Sequence, residues 1–349
     1  MKDKLTIALD CMGADGAPMV EIEGAALARI RYPKARFLLF GRAERIRPLL
    51  DGHPALVACS EIIDTDQVIS MEDKPSQAVR RGRDSSMGRA IAAVRDGQAD
   101  VAVSAGNTGA LMGLAKIMLR TMPGIARPAL ASLIPTYRGE SVMLDLGANI
   151  DCDADNLVEF AIMGAAFARS VLGLQEPSIG LLNVGVEDLK GNETVKEAAE
   201  RLRATRLPMR FVGFAEGDQI PFGKLDVFVC DGFTGNIALK TLEGTARFIS
   251  RLIGDAFRSS LMARLGYLIC RRGIQQLKLH LDPNRHNGAV MLGLNGLVVK
   301  SHGSADGEGF ATAIGVAVDM ARHELVQQIA SDIEGLTETG GNGRQAVAR

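Results

Sequence analysis

The chain has 349 residues, of which 47% are hydrophobic and 23% are charged, and its formal net charge at pH 7 is -1. This length and composition are enough for one large folded unit or two domains with a full hydrophobic core, which excludes an intrinsically disordered protein. Because the net charge is close to zero, we expect no nucleic acid partner, and any basic binding surface must be local.

The sequence pattern contains neither metal-ligand spacing nor a targeting signal. The five cysteines and five histidines are scattered, so we predict no metal site. We predict that the cysteines fill the core and that the protein resides in a reducing compartment. The first apolar run, residues 5–9, is too short for a signal peptide, and no run reaches the roughly 18 apolar residues of a membrane span. We therefore expect a cytoplasmic protein.

Apolar runs of strand length alternate along the chain with segments of helical periodicity. Strands are predicted at residues 5–9, 37–40, 56–58, 101–103, 129–134, 142–144, 179–182, 211–214 and 227–229, with a return to the sheet within 293–300. This alternation predicts a doubly wound, mostly parallel sheet flanked by helices. We expect one α/β catalytic domain over residues 1–334 and a flexible tail at 335–349.

Acidic and amide residues follow several of the predicted strands. Asp10 and Asp15 lie in a glycine-containing loop after the first strand, and Asp145 and Asn149 follow a later one. Open α/β sheets keep their ligands at the carboxyl ends of strands. We interpret these residues, together with Asp231, as residues that position loops; a metal ion on the aspartates is the alternative.

A basic segment lies between the third and fourth predicted strands. Arg80, Arg81 and Arg83 follow the tripeptide Lys74-Pro75-Ser76. Such a run can meet an acidic partner or a phosphate, and the alternative is a solvated surface with no partner.

The strand at 101–103 ends in a loop of small residues from which a helix starts. We expect its glycines to adopt positive φ and to clear the helix N-terminus, so that unpaired N–H groups and hydroxyl and amide donors can bind a phosphate. Ordinary turn and capping preferences explain the same composition. The predicted phosphate-binding residues here are Ser104, Gly106, Asn107, Thr108 and Gly109.

A second loop of the same kind follows the strand at 227–229. It contains Thr234, Gly235 and Asn236 and also opens a helix. We predict phosphate binding by Thr234 and Gly235, and the two loops together suggest two walls of one anion site.

Lys190 and His302 also lie just past predicted strand ends. Lys190 lies in a loop between acidic residues and Gly191, where a lysine can clamp a phosphate or stabilise an oxyanion. The alternative for Lys190 is an exposed surface lysine. His302 is within reach of the same crevice.

Residues 244–285 interrupt the alternation with a long helical pattern that is both apolar and basic. Between residues 247 and 278 there are seven cations and one acid. Such a helical excursion can lie on an anionic membrane surface or form a dimer interface with its arginines extended to solvent. Its candidate contact residues are Arg264, Arg271 and Arg272.

Together these motifs resemble, in the same order over about residues 5–320, those of the bacterial PlsX family of phosphate acyltransferases. The motifs are Ile7-Ala8-Leu9-Asp10-Cys11-Met12-Gly13-Ala14-Asp15, Lys74-Pro75-Ser76, Ser104-Ala105-Gly106-Asn107-Thr108-Gly109-Ala110, Asp145-Leu146-Gly147-Ala148-Asn149, Lys190-Gly191-Asn192-Glu193, Cys230-Asp231-Gly232-Phe233-Thr234-Gly235-Asn236 and Lys300-Ser301-His302-Gly303-Ser304.

This resemblance implies transfer of a fatty acyl group from acyl carrier protein to inorganic phosphate. It implies that the acyl-phosphate product feeds a membrane glycerol-3-phosphate acyltransferase in phospholipid synthesis. It also implies a homodimer that associates peripherally with the membrane and has a fold like those of phosphotransacetylases and isopropylmalate dehydrogenases.

The hypothesis for the chemistry is direct attack of phosphate on the thioester, without a cofactor. The sequence has no G-x-S-x-G nucleophile motif, which agrees with this. Lys190 and Asn236 are then the candidates for stabilising the oxyanion, and His302 for protonating the departing thiolate. The acidic carrier protein would dock on Arg80, Arg81 and Arg83, or on Arg271 and Arg272 near the dimer edge.

Two other functions remain open from the sequence. One is a phosphotransacetylase that acts on acyl-CoA, and the other is a non-enzymatic membrane scaffold of lipid synthesis. A nicotinamide dehydrogenase of the related fold is disfavoured because no G-x-G-x-x-G motif is present.

Overall fold

The structure is a computed structural model that describes residues 4–280 and 282–345. Its strands are β1 (Thr6–Asp10), β2 (Arg36–Gly41), β3 (Ser60–Asp64), β4 (Val101–Ser104), β5 (Ala129–Thr136), β6 (Gly139–Leu144), β7 (Ser178–Leu182), β8 (Arg210–Ala215), β9 (Val227–Val229), β10 (Ala289–Leu292) and β11 (Leu297–Lys300).

The helices that separate and flank these strands are α1 (Met19–Arg31), α2 (Ala43–Leu50), α3 (Pro54–Val57), α4 (Pro75–Arg81), α5 (Ser86–Arg95), α6 (Thr108–Leu119), α7 (Ala154–Leu172), α8 (Glu193–Ala204), α9 (Gly232–Arg258), α10 (Leu261–His280), α11 (Gly307–Arg322) and α12 (Leu325–Gln345).

The strands form one sheet with the order β3-β2-β1-β4-β11-β10-β5-β6-β9-β7-β8. The first five strands of this order are mutually parallel, and so are the last four. The pairs β11–β10, β10–β5 and β5–β6 are antiparallel. The predicted α/β fold with a mostly parallel sheet and flanking helices is confirmed, and its two parallel halves run in opposite directions.

Alternate residues of the strands supply the two faces of the core. Ile7 and Leu9 pack on one face with residues of α1, α7 and α11, whereas Ala8 packs on the other face with residues of α5 and α6. The α7 side chains Phe160 and Phe167 are fully buried. The burial of both faces explains why the strands read as continuous apolar runs.

The third strand does not lie at residues 56–58, where the sequence predicted it. Residues 54–57 form α3 instead of leading into a strand at 56–58, and β3 begins only at Ser60. Pro54 at the first helical turn explains this, because its fixed φ favours a helix start. Leu56 is buried from the helix, which made it resemble a strand residue.

The carboxyl-terminal elements also extend the sequence-based description. The excursion at 244–285 consists mainly of α9 and α10, and Leu281 lies outside the described residues. The helix α12 continues to Gln345, through most of the segment that the sequence assigned to a flexible tail; residues 346–349 lie outside the description.

Two further findings concern the surface and the cysteines. Over the described ranges, no helix combines the length and hydropathy that a membrane span requires. Cys11 and Cys230 are buried as expected of core residues, but Cys270 on α10 is exposed, so its assignment to the core was wrong.

Candidate active site

The carboxyl ends of β1, β4 and β11 lie side by side at one edge of the sheet. In the register of these strands Asp10 is level with Ser104, and Ser104 is level with Lys300. The Ser104 hydroxyl donates a hydrogen bond of 2.7 Å to Asp10 Oδ2, and the Gly106 amide donates one of 3.1 Å to Ser104 Oγ. We call Asp10, Ser104, Gly106, Lys300 and His302 the Lys300 cluster.

Asp10 is buried and contacts the loops around it. Its Oδ1 accepts a hydrogen bond of 3.2 Å from the Met12 amide. Burial raises the pKa of the Asp10 carboxyl, and hydrogen bonds from two serines and the nearby Lys300 oppose this rise. A Cβ at Gly13 would lie 2.5 Å from the Gly106 nitrogen, so the two loops that Asp10 joins are in direct contact.

A second buried carboxyl, that of Glu21 in α1, holds the loop between β1 and α1. Its Oε1 accepts a hydrogen bond of 2.9 Å from the Ala14 amide, whereas Oε2 is buried without a hydrogen-bond partner among the described atoms. Burial raises the pKa of Glu21 to about 7. The carboxyl is therefore uncharged in the folded protein below that pH.

Replacing Glu21 with Gln is expected to stabilise the protein at alkaline pH relative to the wild type. The pKa of Glu21 is about 7 in the folded protein and 4.5 as an ordinary side chain. Its protonated form therefore contributes fully to stability below the unfolded-state pKa. That contribution is lost as the pH rises through the folded-state pKa, up to about 3 kcal/mol.

Urea unfolding of wild type and Glu21→Gln at about pH 5 and about pH 8 measures the free energy of unfolding of each protein. The difference between the proteins should grow in favour of the variant as the pH rises. A difference that is the same at both pH values would contradict the buried, protonated state of Glu21.

Asn107 caps the helix that follows β4. Its Oδ1 accepts a hydrogen bond of 3.0 Å from the Ala110 amide. Its Nδ2 donates to the carbonyls of Met71 and Asp73 at 3.0 and 3.1 Å. Asn107 therefore ties the segment before α4 to the start of α6, and its predicted contact with phosphate would require these bonds to break.

The glycines of this loop serve close packing. Neither Gly106 nor Gly109 has positive φ, so that expectation was wrong. A Cβ at Gly106 would lie 2.6 Å from Met87 Cε, and one at Gly109 would lie 2.6 Å from Pro75 Cγ. Thr108, between them, is exposed at the start of α6, so it stays available to an anion.

Lys300 was not among the predicted site residues. Its Nζ donates a hydrogen bond of 3.1 Å to the Ala105 carbonyl and another to the Ser301 carbonyl. Burial lowers the pKa of Lys300 to about 8; Asp10 and Asp15 oppose this shift, and Lys240 adds to it. The available signal was a lysine at the end of an otherwise apolar strand.

His302 lies against helix α9. Its Nε2 is 3.3 Å from Glu243 Oε1, and Lys240 Nζ lies 2.9 Å from the other oxygen of Glu243. The hydrogen bond from His302 is the largest effect that lowers the pKa of Glu243 to about 2. Asp15 lies nearby and is exposed, and its amide donates a hydrogen bond of 2.9 Å to the Gly303 carbonyl.

A second group of loops follows β6, β9 and β7 at the opposite edge. Asp145 is fully buried there. Its Oδ1 accepts hydrogen bonds from the amides of Leu130 and Ala148 at 2.9 and 3.0 Å, and its Oδ2 accepts two from Asn149 at 2.7 and 2.9 Å. Burial raises the pKa of the Asp145 carboxyl in spite of these bonds. Asp145 and Asn149 thus fix the loop between β6 and α7.

Asp231 caps α9 and accepts hydrogen bonds from both donors of Thr234. The Thr234 amide donates to Asp231 Oδ1 and the Thr234 hydroxyl donates to Oδ2, both at 2.8 Å. A Cβ at Gly235 would lie 1.9 Å from the Asp145 carbonyl oxygen. Thr234 therefore helps to cap α9, and Gly235 allows close packing against the β6 loop. Asn236 is exposed on the first turns of α9.

Lys190 projects from the loop between β7 and α8. The Asn183 side chain donates hydrogen bonds of 3.1 Å to the carbonyls of Gly185 and Lys190. Gly191 adopts a φ of 91° beside Asn183, a conformation that requires glycine. These contacts fix the backbone of the loop and leave the Lys190 side chain exposed.

Large apolar side chains are exposed around these loops. Because β9 pairs with both β6 and β7 in parallel, the loops after these three strands are neighbours. Each of the three loops contributes exposed apolar residues, and Lys190 and Asn236 belong to the segments after β7 and β9. We call them the apolar rim: Ile150, Val184, Val186, Leu189, Phe233 and Ile237.

The two glycine loops do not form two walls of one narrow site within the chain, so that expectation was wrong. Their strands, β4 and β9, lie five positions apart in the sheet, which corresponds to about 24 Å at the usual strand spacing. The two strands also run in opposite directions, so their carboxyl ends lie at opposite edges.

Helix α9 joins the two edges. Asn236, Lys240 and Glu243 are spaced i, i+4 and i+7, so they share one face of the helix. We call them the polar stripe. It extends for about 10 Å, from the apolar rim at Asn236 to His302, which contacts Glu243. The stripe therefore places Asn236 and the Lys300 cluster along one path.

The remaining predicted site residues lie on the surface. All the arginines proposed for partner contact are exposed: Arg80, Arg81, Arg83, Arg264, Arg271 and Arg272. Across the described ranges, no group of three or more histidine, cysteine or acidic side chains could hold a metal ion. The aspartates are divided between the two edges, with Asp10 and Asp15 at one and Asp145 and Asp231 at the other.

Solved structures with the same fold include a phosphotransacetylase from Streptococcus pyogenes. It is 19% identical in sequence, with a TM-score of 0.62 over 92% of this chain and 95% of that one. A putative 4-hydroxythreonine-4-phosphate dehydrogenase from Salmonella typhimurium is 16% identical, with a TM-score of 0.52 over 91% of this chain and 99% of that one. The chain therefore has the same α/β fold as these two proteins.

The sequence matches the family described as "Fatty acid synthesis protein" over residues 5–328. A phosphate acyltransferase from Parvibaculum lavamentivorans is 57% identical over 334 residues, which are 95% of this chain and 92% of that protein. One from Paramagnetospirillum magneticum is 53% identical over 336 residues, 96% of each chain. The chain belongs to this family, the PlsX family of phosphate acyltransferases, and is an acyl-transferring enzyme.

Proposed function

We propose that the enzyme transfers a fatty acyl group from acyl carrier protein to inorganic phosphate and releases acyl-phosphate for phospholipid synthesis. The observation that carries this proposal is the apolar rim, which places exposed aliphatic and aromatic side chains beside Lys190 and Asn236. A long acyl chain needs such a surface, because its transfer from water is favourable by about 0.8 kcal/mol per buried methylene.

In this mechanism an oxygen of phosphate attacks the thioester carbon, and the carbon–sulfur bond breaks. The donors proposed for the developing oxyanion are Lys190 and Asn236, which are exposed and free of core packing. His302 is the proposed proton donor to the departing thiolate. The interval of about 10 Å along the polar stripe accommodates a phosphate and a thioester side by side.

The phosphate is proposed to bind at the end of the stripe formed by the Lys300 cluster and the start of α6. Thr108 supplies an exposed hydroxyl group there, and the helix N-terminus favours an anion. Ser104 supports this site through its hydrogen bond to Asp10, which occupies its one hydroxyl hydrogen. The residues predicted to bind phosphate at the start of α9 have a mainly structural role in this proposal. Both donors of Thr234 are already hydrogen-bonded to Asp231.

The carrier protein is proposed to dock on exposed arginines. Arg80, Arg81 and Arg83 lie on or just after α4, which packs against α6 at the same edge as the Lys300 cluster. An acidic protein that docks there would present its thioester to the polar stripe. Charge reversal of these arginines should weaken carrier binding, whereas unchanged affinity would exclude this docking site.

The α9–α10 hairpin is proposed to contact a second copy of the chain, an anionic membrane surface, or both. Its exposed apolar residues, which include Phe248, Leu252, Leu261, Met262 and Ile269, alternate with exposed arginines. Such a surface suits a homodimer interface or a peripheral site near the membrane acyltransferase that would consume the product. Sedimentation in solution and flotation with anionic liposomes separate the two contacts.

The deciding experiment is incubation of the enzyme with acyl carrier thioester and phosphate, followed by detection of acyl-phosphate. A parallel reaction with the matching acyl-CoA tests the phosphotransacetylase alternative. We expect product mainly from the carrier thioester. Product from acyl-CoA alone would identify the alternative, and liposome binding without product from either thioester would favour a membrane scaffold.

A further inference from the structure

Lys300 carries a positive charge that the nearby carboxyls of Asp10 and Asp15 offset only in part. Its Nζ donates hydrogen bonds to two uncharged groups, the carbonyls of Ala105 and Ser301. Burial lowers the pKa of Lys300 more than Asp10 and Asp15 raise it. An ammonium group has three hydrogens, so one donor remains for a further partner. Because removing a charge from water is costly unless an opposite charge compensates it, this environment favours an anion.

Other positive groups converge on the same place. The carbonyl that holds Lys300 belongs to Ala105, which directly precedes the loop that starts α6, and the N-terminus of a helix carries a partial positive charge. Lys240 of the polar stripe is near enough to lower the pKa of Lys300. The opposing groups are Asp10, whose own charge is disfavoured by burial, and the exposed Asp15.

We propose that Lys300 binds the attacking phosphate, donating its third N–H to one of the phosphate oxygens at the mouth of α6. This inference rests on the proposed function. A different phosphate oxygen forms the bond to the thioester carbon as the carbon–sulfur bond breaks and the sulfur leaves with the electron pair. Lys300 keeps its proton throughout, and its charge holds the phosphate in position.

The proposal predicts a characteristic pH dependence. The pKa of Lys300 without ligand is about 8, so the fraction able to bind phosphate falls as the pH rises through that value. The KM for phosphate should therefore rise above about pH 8, whereas the KM for the thioester should not follow it. The titratable groups near enough to act on the charge of Lys300 are Asp10, Asp15 and Lys240.

The test compares Lys300→Met, Lys300→Arg and the control Lys116→Met in acyl-phosphate formation with varied phosphate. Lys116 is exposed in the last turn of α6, far along the helix from Lys300. We expect Lys300→Met to raise the KM for phosphate by about tenfold or more, with little change in the KM for the thioester. Lys300→Arg should restore most of the affinity and flatten the pH profile, and Lys116→Met should match the wild type.

Phosphate binding is also measured without thioester, by the broadening of the ³¹P resonance of inorganic phosphate. A wild-type enzyme that forms no acyl-phosphate, but whose phosphate binding is weakened by Lys300→Met, would end the proposed function and keep this inference. Product formation with unchanged phosphate KM and binding in folded Lys300→Met would end the inference alone. Thermal melting verifies the fold of each variant, and Lys300→Arg decides the question if the methionine variant is unfolded.

Discussion

Alanine in place of Asn236 or Lys190 is expected to lower the rate of acyl-phosphate formation by roughly a hundredfold to a thousandfold, the usual loss for one oxyanion donor. Both side chains are exposed, and other residues hold the backbone at each position. Asn236 lies on α9, which Asp231 caps, and the Lys190 carbonyl accepts a hydrogen bond from Asn183. The fold should therefore survive both changes.

Single-turnover rates with saturating carrier thioester and phosphate measure this effect, and circular dichroism checks the fold. Lys224→Ala is the matched control, because Lys224 is also an exposed loop lysine but lies outside the strand-end loops described above. Near-full rates in a folded Lys190→Ala or Asn236→Ala enzyme would remove that residue from the mechanism.

Gly235→Ala is expected to destabilise the protein by about 3 kcal/mol or more, at the upper end of overpacking effects. A Cβ at this position would lie 1.9 Å from the Asp145 carbonyl oxygen and 2.9 Å from Cys230 Sγ. The helix cannot move away easily, because Gly232 at its start donates a hydrogen bond of 2.7 Å to the Asn149 carbonyl.

Gly244→Ala in the same helix provides the control. A Cβ there meets no atom within 4 Å, and alanine is favoured over glycine in a helix by about 1 kcal/mol. Urea unfolding should therefore show a stabilised Gly244→Ala and a strongly destabilised Gly235→Ala. Equal stability of the two variants would contradict the close contact between α9 and the β6 loop.

Strand positions and the small-residue loops were predictable because both depend on local sequence. The runs at 101–103 and 227–229 lie within β4 and β9, and each is followed by a helix. The direction of each strand was not predictable, because it depends on the antiparallel pairing of β5, β6 and β10 in the middle of the sheet. For that reason the sequence placed both loops in one site.

The roles of the small polar residues also could not be predicted from the sequence. Asn107 and Thr234 have the donors that a phosphate requires, but tertiary contacts and helix caps engage them. A cap and an anion site favour the same residue types. Conversely, the sequence assigned Lys300 no role of its own, because the surroundings of its charge depend on the pairing of β11 with β4.

The position of β11 has a consequence for the synthesis of this chain. This strand, made from residues 297–300, inserts between β4 and β10 and so joins the two halves of the sheet. Until it emerges from the ribosome, β4 presents an open edge, and about 190 residues separate it from its missing neighbour. The nascent protein therefore has to remain protected from edge-to-edge aggregation for most of its translation, and the sheet can be completed only near the end.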